Sequence, residues 1–270
     1  MQSPVPVEPG PAAHLTADDR AFFAEHGWLI VRGVVAADRV AALEAALDVV
    51  IPAAWYPRWG DRFVEVAGIS HASEILAAQI RAPEIAGLAG ALLDAAHVQL
   101  LQDTALIKPA AGTATLAWHQ DYSYLTYLDR PAVVTARLAL TDCTEANGCL
   151  RVLDGSHRWG GLHGDDLAFR RASVDNTLDA LPDELRARAL ASERLVELAP
   201  GDVSLHGCLT FHGSLANHSD RTRKTLAMRL MDGACRLIPD RLPSPELRAM
   251  FTTDADGHLA GPWFPTLWSR

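Results

Sequence analysis

The chain has 270 residues, 49% of them hydrophobic and 21% charged, the composition of a folded protein long enough to bury a substantial core. A formal net charge of −9 argues against nucleic acid as a partner, and no apolar run reaches the roughly 18 residues that a membrane-spanning helix needs. The first residues lack the charged and apolar regions of a secretion signal. Cys143, Cys149, Cys208 and Cys235 have no CxxC spacing and are too few for a disulfide scaffold, so reduced thiols in a cytoplasmic protein are expected.

Residues 1–13 contain four prolines and a glycine and read as a flexible tail before a single domain over 14–270. Its first part, 14–96, reads as mostly helical. Thr16-Ala17-Asp18-Asp19 resembles a capping box, and Gly27 should end the helix it opens. A strand is expected at Trp28–Val31, helices over 38–50, 73–80 and 83–93, and an aromatic loop over 55–59. From about 97 to 232 the texture changes to short β-like runs between Gly, Pro, Asn and Asp turns: 97–108, 114–119, 132–140, 149–153, 195–198, 202–206, 210–215 and 224–231. This pattern predicts a β-sandwich or barrel with flanking helices. The charged stretch 164–194 reads as an insertion, expected to cover the mouth of a pocket, and 233–270 as a C-terminal extension.

The segment Trp118-His119-Gln120-Asp121 carries the most chemistry. On a strand, residues two apart point to one face, so His119 and Asp121 can present an imidazole and a carboxylate to one point. His212 follows 93 residues later. Two histidines and a carboxylate form a facial triad that suits Fe(II) and leaves positions open for reagents. His206 is a nearby alternative, although the downstream Asn-Ser-Asp-Arg spacing fits His212 better. Arg223 comes 11 residues after His212. If 210–215 and 223–231 pair as a hairpin, its guanidinium returns close to the triad, where it can take a carboxylate in a two-pronged bond.

With these residues the sequence resembles the phytanoyl-CoA dioxygenase-like family of iron(II)- and 2-oxoglutarate-dependent oxygenases. The resemblance runs from about residue 15 to 232. It rests on Trp118–Asp121, Thr144-Glu145-Ala146-Asn147-Gly148-Cys149-Leu150-Arg151-Val152, Asp154-Gly155-Ser156-His157, Gly201-Asp202-Val203 and the run from His212 to Arg223. It implies a double-stranded β-helix (jelly-roll, cupin-like) core, with His119, Asp121 and His212 as iron ligands and Arg223 as the 2-oxoglutarate clamp. Thr104 stands where relatives contact 2-oxoglutarate, and Ser214 shares the His212 face. Two positions depart from the family: Asp154 replaces a usual proline, and Arg137 stands where an aromatic often lines the cosubstrate site, leaving it either a pocket residue or an exposed arginine. Gln102, on the Thr104 face, and Tyr124 are expected to meet substrate.

The implied activity is hydroxylation of an aliphatic C–H of a small molecule with O2, releasing succinate and carbon dioxide. Halogenating relatives carry Ala or Gly where Asp121 stands. Two other readings share the same residues: a metal-dependent hydrolase on a jelly roll, and a non-catalytic small-molecule binding module. A hydrolase has no need of the Arg223 clamp, and the intact triad counts against the binding module.

Overall fold

Local chemistry sets the first elements. In the computed structural model, which describes residues 14–60, 63–161 and 183–270, helix α1 (Ala17–His26) begins at the expected capping box. The Asp19 amide donates to Thr16 Oγ1, and the Thr16 amide donates to Asp19 Oδ2. It stops at Gly27, whose φ of 81° suits glycine. Strand β1 (Trp28–Val31), fully buried, leads to α2 (Ala37–Val50), which turns Val40, Leu43, Ala46 and Leu47 inward. The aromatic loop is a short 3-10 helix, Ala53–Trp59. Strand β2 (Val64–Ala67) and helices α3 (Glu74–Ile80) and α4 (Pro83–Leu93) complete this part, with Pro83 in the first turn of α4. Glu74–Leu93 is long and apolar enough to cross a membrane. It is half buried within the fold, however, and broken between α3 and α4, as a pair of core helices is.

The β-core follows as two antiparallel sheets. The larger has the order β1-β8-β5-β10-β3-β13, with β2 also on β3. It uses β3 (His97–Lys108), β5 (Val133–Ala139), β8 (Val203–Gly207), β10 (Arg223–Asp232) and β13 (Thr266–Ser269), while β11 (Thr252–Thr253) and β12 (Leu259–Ala260) pair only with each other. The smaller has the order β4-β9-β6-β7, built from β4 (Leu116–His119), β6 (Leu150–Leu153), β7 (Glu193–Val196) and β9 (His212–Ser214). This is the jelly-roll arrangement expected from the sequence.

Strand alternation divides the side chains of β10. Leu226, Met228 and Leu230 join Leu43, Leu47 and Leu88 in the core that the helices share with the large sheet. Ala227 and Arg229 point into a cavity that His119, Asp121 and His212 also line, and Arg223 and Thr225 share their parity.

Two expectations change. Strands β9 and β10 do not form a hairpin: β9 pairs with β4 and β6, and β10 pairs with β3 and β5. A jelly roll passes the chain from one sheet to the other here. The C-terminal extension is also more than an appendage, because β13 adds a strand beside β3. Residues 183–194 form helix α5 (Asp183–Ala191) and the start of β7. The expected tail, 1–13, and the rest of the expected insertion, 164–182, lie outside the described residues.

Candidate active site

Pairing of β4 with β9 sets His119 opposite His212, and their rings lie 4.1 Å apart by centroid. Asp121 sits two residues beyond the end of β4, at the first position of a 3-10 turn (Asp121–Tyr124), and not on the strand as expected. Gln120 between them remains extended, so the same-face alternation survives past the strand end. The three ligand atoms lie within 4.8 Å of one another, and all three residues are buried. Each imidazole Nε2 is 3.9 Å from Asp121 Oδ1.

Backbone carbonyls orient both rings. His119 Nδ1 lies 2.9 Å from the Ala117 carbonyl, and His212 Nδ1 2.9 Å from the Thr210 carbonyl. A carbonyl only accepts, so each Nδ1 carries the hydrogen and each Nε2 turns a lone pair toward Asp121. Burial, reinforced at His212 by the neighbouring imidazoles, pushes both pKa values down, which favours the neutral form that binds metal. Burial alone would raise the Asp121 carboxyl. The Arg229 guanidinium, helped by His206 and His212, overrides it and holds Asp121 well below the usual carboxylate range. Two lone pairs and one buried carboxylate fit a divalent metal such as Fe(II).

Sequence reasoning missed two residues that hold Asp121. Arg229 Nη2 donates to Oδ1 at 2.9 Å, while its Nη1 donates to Gln102 Oε1 at 2.6 Å. Thr135 Oγ1 donates to Oδ2 at 2.6 Å. The alternation from Arg223 through 225 and 227 to 229 was the available signal for Arg229. His206, the alternative to His212, is outside the His119–Asp121–His212 cluster. It stands beside it, with its Nε2 3.5 Å from Asp121 Oδ2, and neither of its ring nitrogens completes a hydrogen bond.

A cavity of about 310 Å³ opens on the triad, lined also by Thr104, Tyr124, Thr135, Arg137 and Arg229. Of the sequence-predicted contacts, Thr104, Arg137 and Tyr124 therefore reach it, Tyr124 at the rim and half exposed. Arg137 is not the exposed arginine of the alternative reading: it is buried, and its guanidinium donates to Thr225 Oγ1 at 3.4 Å. Gln102 borders a neighbouring cavity instead. Ser214 and Arg223 are buried but do not line the triad cavity. Arg223 donates to the carbonyl of Gly148, a residue held at a φ of 69°, and its Nε has no partner.

Beside Arg223 across the β3–β10 pairing lies Lys108, also buried, whose ammonium donates to the Ala114 and Leu215 carbonyls. Burial and the nearby arginines pull Lys108 down to about 7, and burial with the Arg223 charge pulls Arg137 to about 10. Neither Arg137 nor Arg223 has a carboxylate partner among the described residues. Buried cations left this way favour an anion in the adjoining space.

A jelly roll whose sheets enclose a neutral His pair, a carboxylate and unpaired guanidinium groups is built as an iron- and 2-oxoglutarate-dependent oxygenase. The phytanoyl-CoA dioxygenase family model matches residues 23–225, well over half of the chain, and the chain belongs to that family. It is accordingly an Fe/2-oxoglutarate dioxygenase. It is 28% identical over 247 residues to an ectoine dioxygenase of Bordetella parapertussis, covering 84% of this chain and 79% of that one. A 2-aminoethylphosphonate dioxygenase from an uncultured bacterium is 31% identical over 132 residues, and there the match spans only 47% of this chain and 44% of the relative. Among solved structures, the non-heme alpha ketoglutarate dependent carbocyclase SnoK from nogalamycin biosynthesis superposes with a TM-score of 0.77 at 26% identity. That match covers 96% of this chain and 99% of SnoK.

Proposed function

We propose that the protein oxidises a C–H bond of a small molecule, most simply by hydroxylation. His119, Asp121 and His212 hold the iron, and Arg223 with Arg137 receives 2-oxoglutarate. Iron with 2-oxoglutarate supplies the oxidising chemistry, in which dioxygen is consumed, the oxo acid becomes succinate and carbon dioxide, and the substrate is oxidised. The protein's part is to orient and to exclude water. The Ala117 and Thr210 carbonyls fix both imidazoles with Nε2 inward, and Arg229 and Thr135 keep Asp121 ionised and aimed at them. Thr104 borders the same cavity, and Ser214 lies on β9 beyond His212.

The observation that carries this reading is the pair of buried guanidinium groups without carboxylate partners, one of them lining the triad cavity. A dicarboxylate cosubstrate answers that charge, whereas a hydrolase acting through metal-bound water would not need it. The test is succinate release from 2-oxoglutarate by purified protein given Fe(II), ascorbate and air, with His212→Ala as control. Release that depends on both iron and His212 supports the reading. No release by the native protein, with or without candidate substrates, overturns it.

A further inference from the structure

A second cavity, of about 720 Å³, adjoins the one at the triad, and Tyr124 and Arg229 line both. Its walls come from two places that the triad does not use. One is the segment just after the metal-facing turn, with Tyr124, Leu125 and Tyr127. The other is the C-terminal stretch, with Leu247 on helix α6 (Pro245–Met250), Phe251, Trp263 and Phe264. On β3 an extra residue at Leu101, relative to β10, breaks the register, and Leu101, Gln102 and Asp103 all border this space. The aromatic walls brace one another. Phe251 meets Tyr127 edge-on at 5.3 Å and Phe264 at 4.8 Å, and Trp263 lies against His71 at 4.4 Å.

The charges bordering this cavity are already committed. Asp103 accepts from the Ser70 amide and hydroxyl, both at 2.9 Å. Arg229 gives its two terminal nitrogens to Asp121 and Gln102, and only its buried Nε has no partner. A zwitterion or phosphonate entering the space would lose its hydration and meet no free carboxylate and no free guanidinium terminus among the described lining residues, a cost that burial of apolar surface does not offset. An uncharged ring system or chain would exchange water for aromatic faces, and the volume falls within the range of about 300–1,000 Å³ typical of small-molecule sites.

We propose that this cavity holds the body of the substrate, and that the substrate is a bulky, predominantly apolar molecule uncharged along its buried part. It would pass Tyr124 and Arg229 to present its reacting carbon to the triad cavity. This deepens the oxygenase reading and rests on it for the reaction, but the cavity's preference is testable by itself.

The probe is N-phenyl-1-naphthylamine, a neutral aromatic dye, titrated into the full chain and followed by its emission. Saturable binding is expected, weakened about tenfold by Trp263→Ala and by Leu247→Asp as apolar contact is lost or a charge is buried. Trp263 is partly exposed, so its variant keeps the test open if the Leu247 variant does not fold. Ectoine and L-proline, as zwitterionic competitors, should leave the dye in place at large excess. Absence of binding, or equal binding by folded variants, overturns the proposal. Displacement by the zwitterions overturns the substrate class. Succinate release measured on the same preparation separates the two readings. Release without dye binding defeats the cavity proposal alone, and dye binding without release defeats the oxygenase reading alone.

Discussion

Replacing Arg229 with methionine would remove the guanidinium that neutralises Asp121 and keep most of the buried volume. The lost contact is a 2.9 Å charge-assisted hydrogen bond to a carboxylate that is only 1% exposed. Breaking one side of such a buried pair costs about 3–5 kcal/mol, because the remaining charge stays in the interior. For a chain of this size that corresponds to a fall in melting temperature on the order of 10 °C in metal-free protein. A divalent metal at the triad supplies the missing positive charge, so metal should restore far more stability to the variant than it adds to the native chain. The assay is thermal unfolding of both proteins after chelation and again with Mn(II), a redox-silent stand-in for Fe(II). Equal melting temperatures in the metal-free state, or the same gain on adding metal to both, would refute the idea that Arg229 and the metal share one carboxylate.

The other predictions concern ligands, cosubstrate and pH. His119→Ala and His212→Ala should each abolish stoichiometric Fe(II) or Co(II) binding in equilibrium dialysis with the circular dichroism spectrum retained, and full binding by both variants would dismiss the triad. Arg223→Ala should raise the 2-oxoglutarate concentration for half-maximal succinate release by roughly 10- to 150-fold, the equivalent of about 1.5–3 kcal/mol for a hydrogen bond to a charged group. Arg223→Lys should recover only part of it. An unchanged requirement in both would move the role to Arg137, which Arg137→Leu then tests. His119, His206 and His212 all have pKa values lowered by burial, so below about 6.5 the unfolded chain binds protons that the folded chain refuses. Metal-free stability should therefore be fully present above that pH and fall as pH drops, by up to about 1.4 kcal/mol per pH unit for each imidazole. A urea midpoint that stays constant on acidification through that range would contradict this.

Much of the molecule was legible because its signals are local. Thr16 with Asp19 and Gly27 bracket α1 through hydrogen bonds and a backbone angle that need no tertiary partner. The His119–Asp121 alternation held even though the strand stops at His119, since one extended residue is enough to keep two side chains on one face. Arg137 stayed open between pocket and solvent because alternation defines the two faces of a strand, but only the assembled sheets decide whether a face looks at a cavity or at water. The reading of β9 and β10 as a hairpin failed for a related reason. Hairpins and sheet-crossing connections can begin with similar turn residues, and the distinction lies in which distant strands compete for each edge. Arg229 escaped notice because nothing next to it in the chain marks it, and its partner Asp121 belongs to a residue pair 108 positions apart. The C-terminal strand β13 is four residues long and half exposed, too short for its pattern to stand out.

The way the triad is divided between the strands also bears on when the site comes into being. His119 and His212 meet only when β4 zips to β9, and Asp121 acquires its charge partner only when β10, in the opposite sheet, has docked. Contacts of such long sequence separation form slowly, because the intervening loops must be closed before any contact repays their lost freedom. A nascent or partly folded chain thus keeps at most the local His119–Asp121 pair, and His212 joins it only when β4 and β9 have met. The complete three-residue cluster, with its carboxylate neutralised by Arg229, is therefore a property of chains whose two sheets have already closed.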